Sequence, residues 1–378
     1  MMAGNGFFPG ARHAVTLVIR GGNGSAEGAA MSGPLYVPVL PTRPYAADAY
    51  RRLRPEVQGA TAPLWSLPPH HGLSPSALAA AVRREVAVVG KAQRHHAAWL
   101  DAPFADDTHV LPLAAVLRRA GTFGPLRPVT GPERSARQQQ SAMATAADSG
   151  DGIGIRVRMP GEWDGDTADA VHDLLERTDP RVPVDLLLDL GGVLADRPDA
   201  GKETLRALDA MHSLAAWRTI AMIGGGVLQA TAGALEEGWY EQPRREWKTW
   251  CHVTEGDRAY LPRLRYGDYG AQPAASLARD TRSGKGGPPW GVLRYTTEQS
   301  YVVAKMLTRG DARVAHNRTA ARRLLDMPQF RGPVAGAAEA WLRDCAYGSG
   351  TGGTGNFSTW LWVGNAQHMT YVVHSLRD

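Results

Sequence analysis

Cysteine is scarce in this sequence, which has only Cys251 and Cys345 among 378 residues. Two cysteines cannot build a disulfide framework, and such scarcity is typical of proteins of the reducing cytoplasm rather than of secreted domains. The sequence also lacks a run of about 18 apolar residues, the length that a membrane-spanning helix requires. We therefore expect a cytoplasmic protein, neither secreted nor embedded in a membrane.

Short signatures of common enzyme classes are missing too. The chain has no His-Glu-x-x-His, no Gly-x-Ser-x-Gly, no Cys-x-x-Cys and no phosphate-binding Walker loop. His70-His71 and His95-His96 are adjacent pairs, and neighbouring side chains on a helix point in different directions. No metal site is predicted, and no motif by itself identifies a reaction.

The composition indicates a packed globular protein with an uneven charge. Hydrophobic residues make up 43% of the chain, and the net charge is +5. Residues 279–345 contain twelve Lys or Arg against six Asp or Glu, which accounts for the whole excess of positive charge. Two interpretations remain open: an arginine-rich surface in contact with water only, or a contact with nucleic acid or another acidic partner.

Strand-like segments recur along the first 270 residues. The stretch Ile153 to Arg158 alternates apolar and other residues, and Val184 to Leu190 is nearly all apolar, as expected of a strand covered on both faces. Helical stretches separate the segments, and one begins at Ser74-Pro75, a capping residue followed by a proline in the first turn. Eight strands are predicted, at residues 36–40, 62–67, 102–105, 126–130, 153–158, 184–190, 219–223 and 263–266.

The interval between strand starts averages about 32 residues, which matches a barrel of eight strand–helix units. We therefore predict an α/β protein with a (β/α)8 TIM-like barrel and a smaller C-terminal α+β extension. An open doubly wound sheet is the alternative, although no Gly-x-Gly-x-x-Gly follows the first strand.

Composition also suggests the domain limits. Residues 1–33 are rich in glycine, alanine and serine in their middle part and predict a disordered or mis-assigned leader. The barrel is predicted over residues 34–275, a linker rich in glycine and proline over 276–289, and an extension that packs on the barrel over 290–378.

Alternation along the fifth and sixth strands predicts which side chains face the barrel interior. Arg156 and Arg158 point inward from the fifth strand, and Asp185 and Asp189 from the sixth. Unpaired charges are costly there, so we expect Arg–Asp pairs. The pairs fit either a buried network that fixes strand register or a polar mouth for an anionic or carbonyl-bearing ligand. The second interpretation depends on Arg158 and Asp189, nearest the carboxyl ends of the strands, where barrel enzymes have their sites.

Further residues are predicted on the same rim. Asp268 and Tyr269 follow the eighth strand within the stretch Leu264 to Gly270. Gly224-Gly225-Gly226 follow the seventh strand and fit either a tight turn or a place where backbone N–H groups approach a phosphate. The candidate catalytic residues are therefore Arg158, Asp189, Asp268 and Tyr269.

Three motifs, in this order, are similar to those of a known family. They are Tyr36-Val37-Pro38-Val39-Leu40, then Leu264-Arg265-Tyr266-Gly267-Asp268-Tyr269-Gly270, then Gly355-Asn356 with Thr359-Trp360 and His368. Over residues 35–376 the chain resembles the phage-associated beta protein family. The resemblance implies a protein of prophages, satellite phages and bacterial genomes, from mobile or defence loci with toxin-like or nuclease-like partners.

Three functions follow as hypotheses. The first is a cytoplasmic barrel of phage or anti-phage defence loci that acts through a protein partner, restraining or assisting a co-encoded effector. The second is a barrel hydrolase of a phosphate ester or nucleotide-like substrate, with Asp189 and Asp268 as acid/base or metal ligands and Arg158 as charge stabiliser. The third is nucleic-acid binding by the basic C-terminal segment. Candidate binding residues are Arg156, Asp185, Gly224, Gly225, Asn356, Trp360 and His368.

Overall fold

Residues 33–94, 96–119, 125–279 and 287–378 are described by the computed structural model of the chain. The predicted leader up to residue 32, His95 and the middle of the predicted linker lie outside the described residues. Gly33 to Asp378 group into one compact unit.

Eight parallel strands close into a barrel. Strand β1 pairs with the last barrel strand, with Tyr36 opposite Tyr266, and this pairing closes the ring. The predicted (β/α)8 barrel is confirmed, and the open-sheet alternative is wrong because an open sheet would leave its two outer strands unpaired. The barrel strands in order are β1 (Tyr36–Pro41), β2 (Leu64–Ser66), β3 (Ala98–Asp101), β4 (Leu126–Thr130), β5 (Ile153–Arg158), β6 (Val184–Gly192), β7 (Thr219–Gly225) and β9 (Leu264–Asp268), with β8 (Trp239–Pro243) outside the ring.

Helices connect most of the barrel strands, and several more follow the barrel. The predicted start of the third helix is confirmed, since the Ser74 hydroxyl oxygen accepts a hydrogen bond from the Ala77 N–H at 3.3 Å. Among the residues that the structure covers, no helix combines the length and the apolar character needed to cross a membrane. The α-helices are α1 (Pro44–Arg51), α2 (Pro55–Gly59), α3 (Pro75–Ala92), α4 (Val110–Arg119), α5 (Ala136–Ser149), α6 (Asp166–Glu176), α7 (Ala200–Met211), α8 (Arg245–Thr254), α9 (Arg313–Leu325), α10 (Ala337–Tyr347) and α11 (Phe357–Ser375).

The third strand differs from its prediction. It was expected at residues 102–105 but runs from Ala98 to Asp101, because α3 ends at Ala92 and the residues after it are free to pair with β2 and β4. Trp99 and Asp101 then point into the barrel, while Ala98 and Leu100 pack under the helices. Asp101, the last residue of β3, therefore lies in the barrel interior.

The barrel interior is filled with side chains rather than open. Apolar residues from five of its strands, together with Tyr269 directly after β9, pack below the carboxyl ends of the strands, as in other eight-stranded barrels. Gly154 has no room for a side chain, because a Cβ there would lie 2.9 Å from Leu187 and 3.0 Å from Trp99. The buried apolar residues of this cluster are Val37, Val39, Ala62, Leu64, Trp99, Leu187, Ala221, Ile223 and Tyr269.

The C-terminal part forms a small antiparallel sheet with helices around it. Its order is β10 (Trp290–Thr296), β11 (Ser300–Leu307) and β8. Strand β8 comes from the segment between β7 and β9, so part of the predicted barrel segment 34–275 belongs to the sheet of the extension.

Helix α11 covers the outer edge of β10. The side chain of Gln367 binds the backbone of Thr296 twice, at 2.7 Å to its N–H and 2.9 Å to its carbonyl oxygen. Gly364 permits the close approach, since a Cβ there would lie 3.2 Å from the Arg294 carbonyl oxygen. The N–H and carbonyl groups of Thr296, which could otherwise pair with another strand, are therefore hydrogen-bonded to Gln367.

Glu339, near the start of α10, is a buried carboxyl group. It is 1% exposed, and neither carboxyl oxygen accepts a hydrogen bond from another residue of the described chain. Burial raises the pKa of Glu339, although Arg331 and Arg54 oppose the shift. A raised pKa in the folded state means that the fold loses stability as the pH rises through the interval between the unfolded and folded values.

We expect Glu339→Gln to raise the free energy of unfolding at pH 7.5, because the neutral amide avoids the cost of burying an ionised carboxylate. Below about pH 3 the carboxyl is protonated in both states, and the advantage should nearly vanish. Urea unfolding followed by tryptophan fluorescence at both pH values measures the difference. Glu236→Gln, at an exposed position, is the control and should change little. Equal effects of the two variants would contradict the prediction.

Candidate functional site

Four charged or polar side chains meet inside the barrel at the carboxyl end of its strands. Asp101 ends β3, Arg156 lies in β5, Asp189 lies in β6, and Tyr269 directly follows β9. Each points inward because side chains alternate between the two faces of a strand. We call these four residues the barrel cluster.

The Arg156 guanidinium is the centre of the barrel cluster. Its Nε and Nη2 donate to Asp189 Oδ2 at 3.1 and 2.7 Å, and its Nη1 donates to Asp101 Oδ2. The Tyr269 hydroxyl accepts from Arg156 Nη2 at 3.1 Å and donates to Asp189 Oδ1 at 2.6 Å. Arg134, from the loop after β4, donates to Asp101 Oδ1 at 3.0 Å. Every carboxylate oxygen therefore has a partner within the chain.

Burial and pairing keep Asp189 and Arg156 of the barrel cluster ionised. Asp101, Arg156 and Asp189 are 1 to 3% exposed. Burial alone raises the pKa of Asp189, but Arg156 and Tyr269 lower it more, so the net shift is downward. Burial also lowers the pKa of Arg156, while Asp189, Tyr269 and Asp101 together raise it well above its usual value. Asp189 is thus a carboxylate held by donors and not a base near neutral pKa.

The structure brings together only some of the charged residues that were predicted to form a polar site at the carboxyl end of the barrel. Arg156 pairs with Asp189, as expected of an inward arginine, but Arg158 is exposed. The expectation that Arg158 joins Asp189 in the barrel interior is not met, since Arg158 is the last residue of β5 and its side chain is exposed.

Asp185 lies at the opposite, amino end of the barrel. It accepts from Trp99 Nε1 at 3.0 Å and from Arg218 Nε at 2.9 Å, and Arg127 lies 3.7 Å away. Asp185 therefore belongs to a second ion network, remote along the strand from Asp189, and this network closes the bottom of the barrel.

The three glycines at the end of β7, Gly224 to Gly226, are required by packing. A Cβ at Gly225 would lie 3.1 Å from Tyr269, and one at Gly226 would collide with the Glu246 carboxylate. A Cβ at Gly224 would lie 3.0 Å from Val193. No α-helix of the described chain begins directly after these glycines, so the helix terminus that phosphate binding requires is missing here.

Asp268 points out of the barrel, away from Tyr269. Its Oδ1 accepts from the Tyr36 hydroxyl at 2.5 Å and from the Gly270 N–H at 2.8 Å, and its Oδ2 is 2.7 Å from His368 Nε2 on α11. Burial raises the pKa of Asp268, but His368 and Tyr36 lower it more, and the net shift is downward. The interpretation that Asp268 and Tyr269 share one rim is wrong, because consecutive residues of a strand face opposite sides.

His368 also contacts Thr296, with its Nδ1 2.8 Å from the Thr296 hydroxyl oxygen. The order carboxylate, imidazole, hydroxyl is that of hydrolase triads. Here Thr296 and His368 are 0% exposed and Asp268 is 1% exposed. No substrate reaches such a hydroxyl, so the three residues connect β9, α11 and β10 rather than form a catalytic site.

A neighbouring buried group was not predicted from the sequence. Glu246 Oε1 accepts from the Tyr301 hydroxyl at 2.8 Å and from Arg244 Nε at 3.3 Å. Burial raises the pKa of Glu246, against the effect of Arg244. These contacts depend on the pairing of β8 with β11, and β8 is not among the eight strands predicted from the sequence.

The C-terminal candidates Asn356 and Trp360 have structural contacts. Asn356 caps α11, since its Oδ1 accepts from the Thr359 N–H at 3.1 Å. Trp360 is 1% exposed and donates from Nε1 to the Thr354 carbonyl oxygen at 3.0 Å. No group of three or more His, Cys, Asp or Glu suited to a metal ion occurs among the described residues.

The fold and the barrel cluster define a (β/α)8 barrel protein whose charged groups are paired with one another inside the ring. The family model described as Beta protein matches residues 36–374, nearly the whole chain, and the chain belongs to this family. Searches among curated proteins and among solved structures gave no match.

Proposed function

We propose that this chain is a cytoplasmic binding protein of phage or anti-phage defence loci, which restrains or assists an effector protein encoded nearby. The barrel cluster supports binding over chemistry. Asp189 accepts four hydrogen bonds from the chain itself, and a general base needs a free lone pair within reach of substrate. Asp268, the other acid/base candidate, is likewise held by three donors.

An apolar and basic surface near the C-terminus is the site we propose for the partner. Tyr347 and Phe357, 70% and 55% exposed, flank the segment 348–356. Val314, 46% exposed, lies on α9 beside Arg313, whose Nη2 donates to the Gly355 carbonyl oxygen at 3.0 Å. We call Val314, Tyr347, Phe357 and the arginines of α9 the α9 surface.

The charge of the α9 surface indicates the kind of partner. Helix α9 carries Arg313, Arg318, Arg322 and Arg323 and no acidic residue. Exposed aromatic residues beside arginines are typical of protein interfaces, where both residue types are enriched. An effector with an apolar patch and an acidic rim is complementary to this surface.

Nucleic acid is the competing partner for the same arginines. Arg322 Nε, however, donates to the Ala346 carbonyl oxygen at 3.0 Å, and Arg323 stacks 3.5 Å above the Trp239 ring. These contacts direct the two guanidinium groups toward the chain, which favours a protein partner over a phosphate backbone.

We expect Tyr347→Ser to weaken binding of the effector about tenfold or more, the usual effect of removing an interface anchor worth at least about 1.4 kcal/mol. The test is co-purification with the products of neighbouring genes, followed by measurement of the dissociation constant of the complex. Leu111→Ser is the matched control, because Leu111 is a similarly exposed apolar residue, 69%, on α4.

The outcomes of this test distinguish the proposed function, the α9 surface and the nucleic-acid alternative from one another. If no neighbouring product binds, the proposed function is wrong. If one binds and both variants weaken it equally, the partner is retained and the α9 surface is rejected. Binding of duplex DNA that weakens steeply with added salt would favour the nucleic-acid alternative.

A further inference from the structure

An open depression of about 380 Å³ lies at the carboxyl ends of β1 and β2. The turn after β1, the loop after β2 and one face of α3 form its walls. The volume is within the range of clefts that bind small molecules, and this end of a barrel is where such sites occur. It lies off the barrel axis, on the side of β1 and β2.

The face of α3 that lines the depression is not the face that packs on the barrel. Ala77, Ala81, Arg84, Glu85 and Val88 follow the three- and four-residue spacing of one helix side and line the depression. The packing side is Leu78, Val82, Val86 and Val89, all at most 4% exposed. The helix therefore presents a second, partly apolar side to the depression.

Glu85 organises the polar groups of the depression. It accepts from the Thr42 hydroxyl at 3.0 Å, lies 3.3 Å from His70 Nε2 and lies 3.8 Å from Arg43 Nη1. His70 lines the depression and is 9% exposed, and its Nδ1 has no hydrogen-bond partner among the described residues.

The charges of the lining favour an anion. Arg43 and Arg84 carry two positive charges and Glu85 one negative charge, so these three side chains have a net charge of +1. A guanidinium group binds the oxygens of a carboxylate or phosphate with two parallel hydrogen bonds. The rest of the lining is mainly apolar, with Pro68, Pro69, Leu73 and Val88 among its residues.

We infer that this depression binds a small organic anion, with an apolar body against Pro68, Pro69 and α3 and with a carboxylate or phosphate head at Arg43 and Arg84. The site is separate from the barrel cluster and from the α9 surface. It goes beyond the proposed function, and neither depends on the other.

Phenyl phosphate and benzoate are the probes. Inorganic phosphate and phenol, the two separated parts of phenyl phosphate, are the reference compounds. We expect at least one probe to bind with a dissociation constant of about 1 mM or tighter, and more tightly than either part. Arg84→Ala should weaken that binding at least about fivefold, the loss of one charge-assisted contact. Arg83→Ala is the control, since Arg83 is the adjacent exposed residue of α3 and does not line the depression.

Isothermal titration calorimetry with the full chain measures these affinities. Circular dichroism of each variant verifies that it is folded. The inference is supported if a probe binds better than its parts and Arg84→Ala, but not Arg83→Ala, weakens it. It is overturned if neither probe binds, if the probes bind no better than inorganic phosphate or phenol, or if the two arginine variants act alike. Tighter binding of phenyl phosphate or of benzoate identifies the head group.

Discussion

Arg156→Met is expected to lower the free energy of unfolding by about 3–5 kcal/mol, the largest effect of any single substitution that we predict. The guanidinium binds Asp189 and Asp101 at once and is 3% exposed. Methionine fills a similar volume but leaves Asp189 buried with no cation, while Asp101 retains Arg134. The cost comes from the carboxylate left unpaired and not from lost packing.

Chemical denaturation followed by tryptophan fluorescence measures this loss. Arg158→Met is the matched control, because Arg158 lies two residues along the same strand and is exposed, and it should change stability by no more than about 0.5 kcal/mol. Adding Asp189→Asn to Arg156→Met should recover part of the loss, since it removes the unpaired charge. A double variant that shows only the sum of two losses would contradict the charge argument.

Asp268→Ala is expected to lower the free energy of unfolding by about 3 kcal/mol, the second largest effect. The substitution leaves His368 Nε2 and the Tyr36 hydroxyl, both 0% exposed, without their acceptor. It also removes the side-chain contact through which β9 holds α11. His368→Gln is the control, because its amide can still donate to Asp268, and it should cost about 1 kcal/mol, the value of the contact with Thr296.

The pH dependence of stability separates the charge of Asp268 from its shape. Its pKa is lowered in the folded state, so its contribution is present above the unfolded value of about 3.9 and is lost as the pH falls through the folded value. Asp268→Asn should make stability less dependent on pH in this acid range. An unchanged acid profile would mean that Asp268 contributes no charge-dependent stability.

Periodicity predicted the inward-facing charges that lie on clear strands. Arg156, Asp185 and Asp189 were expected inside the barrel because a pleated strand alternates its side chains, and they are found there. Arg158 was expected there too, but alternation does not show where a strand leaves the enclosed layer. Asp101 was missed because the third strand was placed four residues too late, on a segment whose pattern is weak.

The contacts outside the barrel could not be read from local patterns. Asp268 and His368 are 100 residues apart in the chain, and Glu246 and Tyr301 are 55 apart. Their pairing depends on how α11 and the small sheet pack on the barrel. The stretch Leu264 to Gly270 thus serves both sides of the barrel wall, since Tyr269 joins the barrel cluster inside while Asp268 binds α11 outside.

The sequence alone determined the class of fold and the inward faces of the strands, because the period of apolar residues and the spacing of strands are local properties of the chain. Its motifs also indicated the family that the comparison established. Only the tertiary structure decided which charges meet, which of them stay exposed, and where the depression and the α9 surface lie. The reason is physical: ion pairs and cavities form between residues distant in sequence, and their partners are set by how the elements pack.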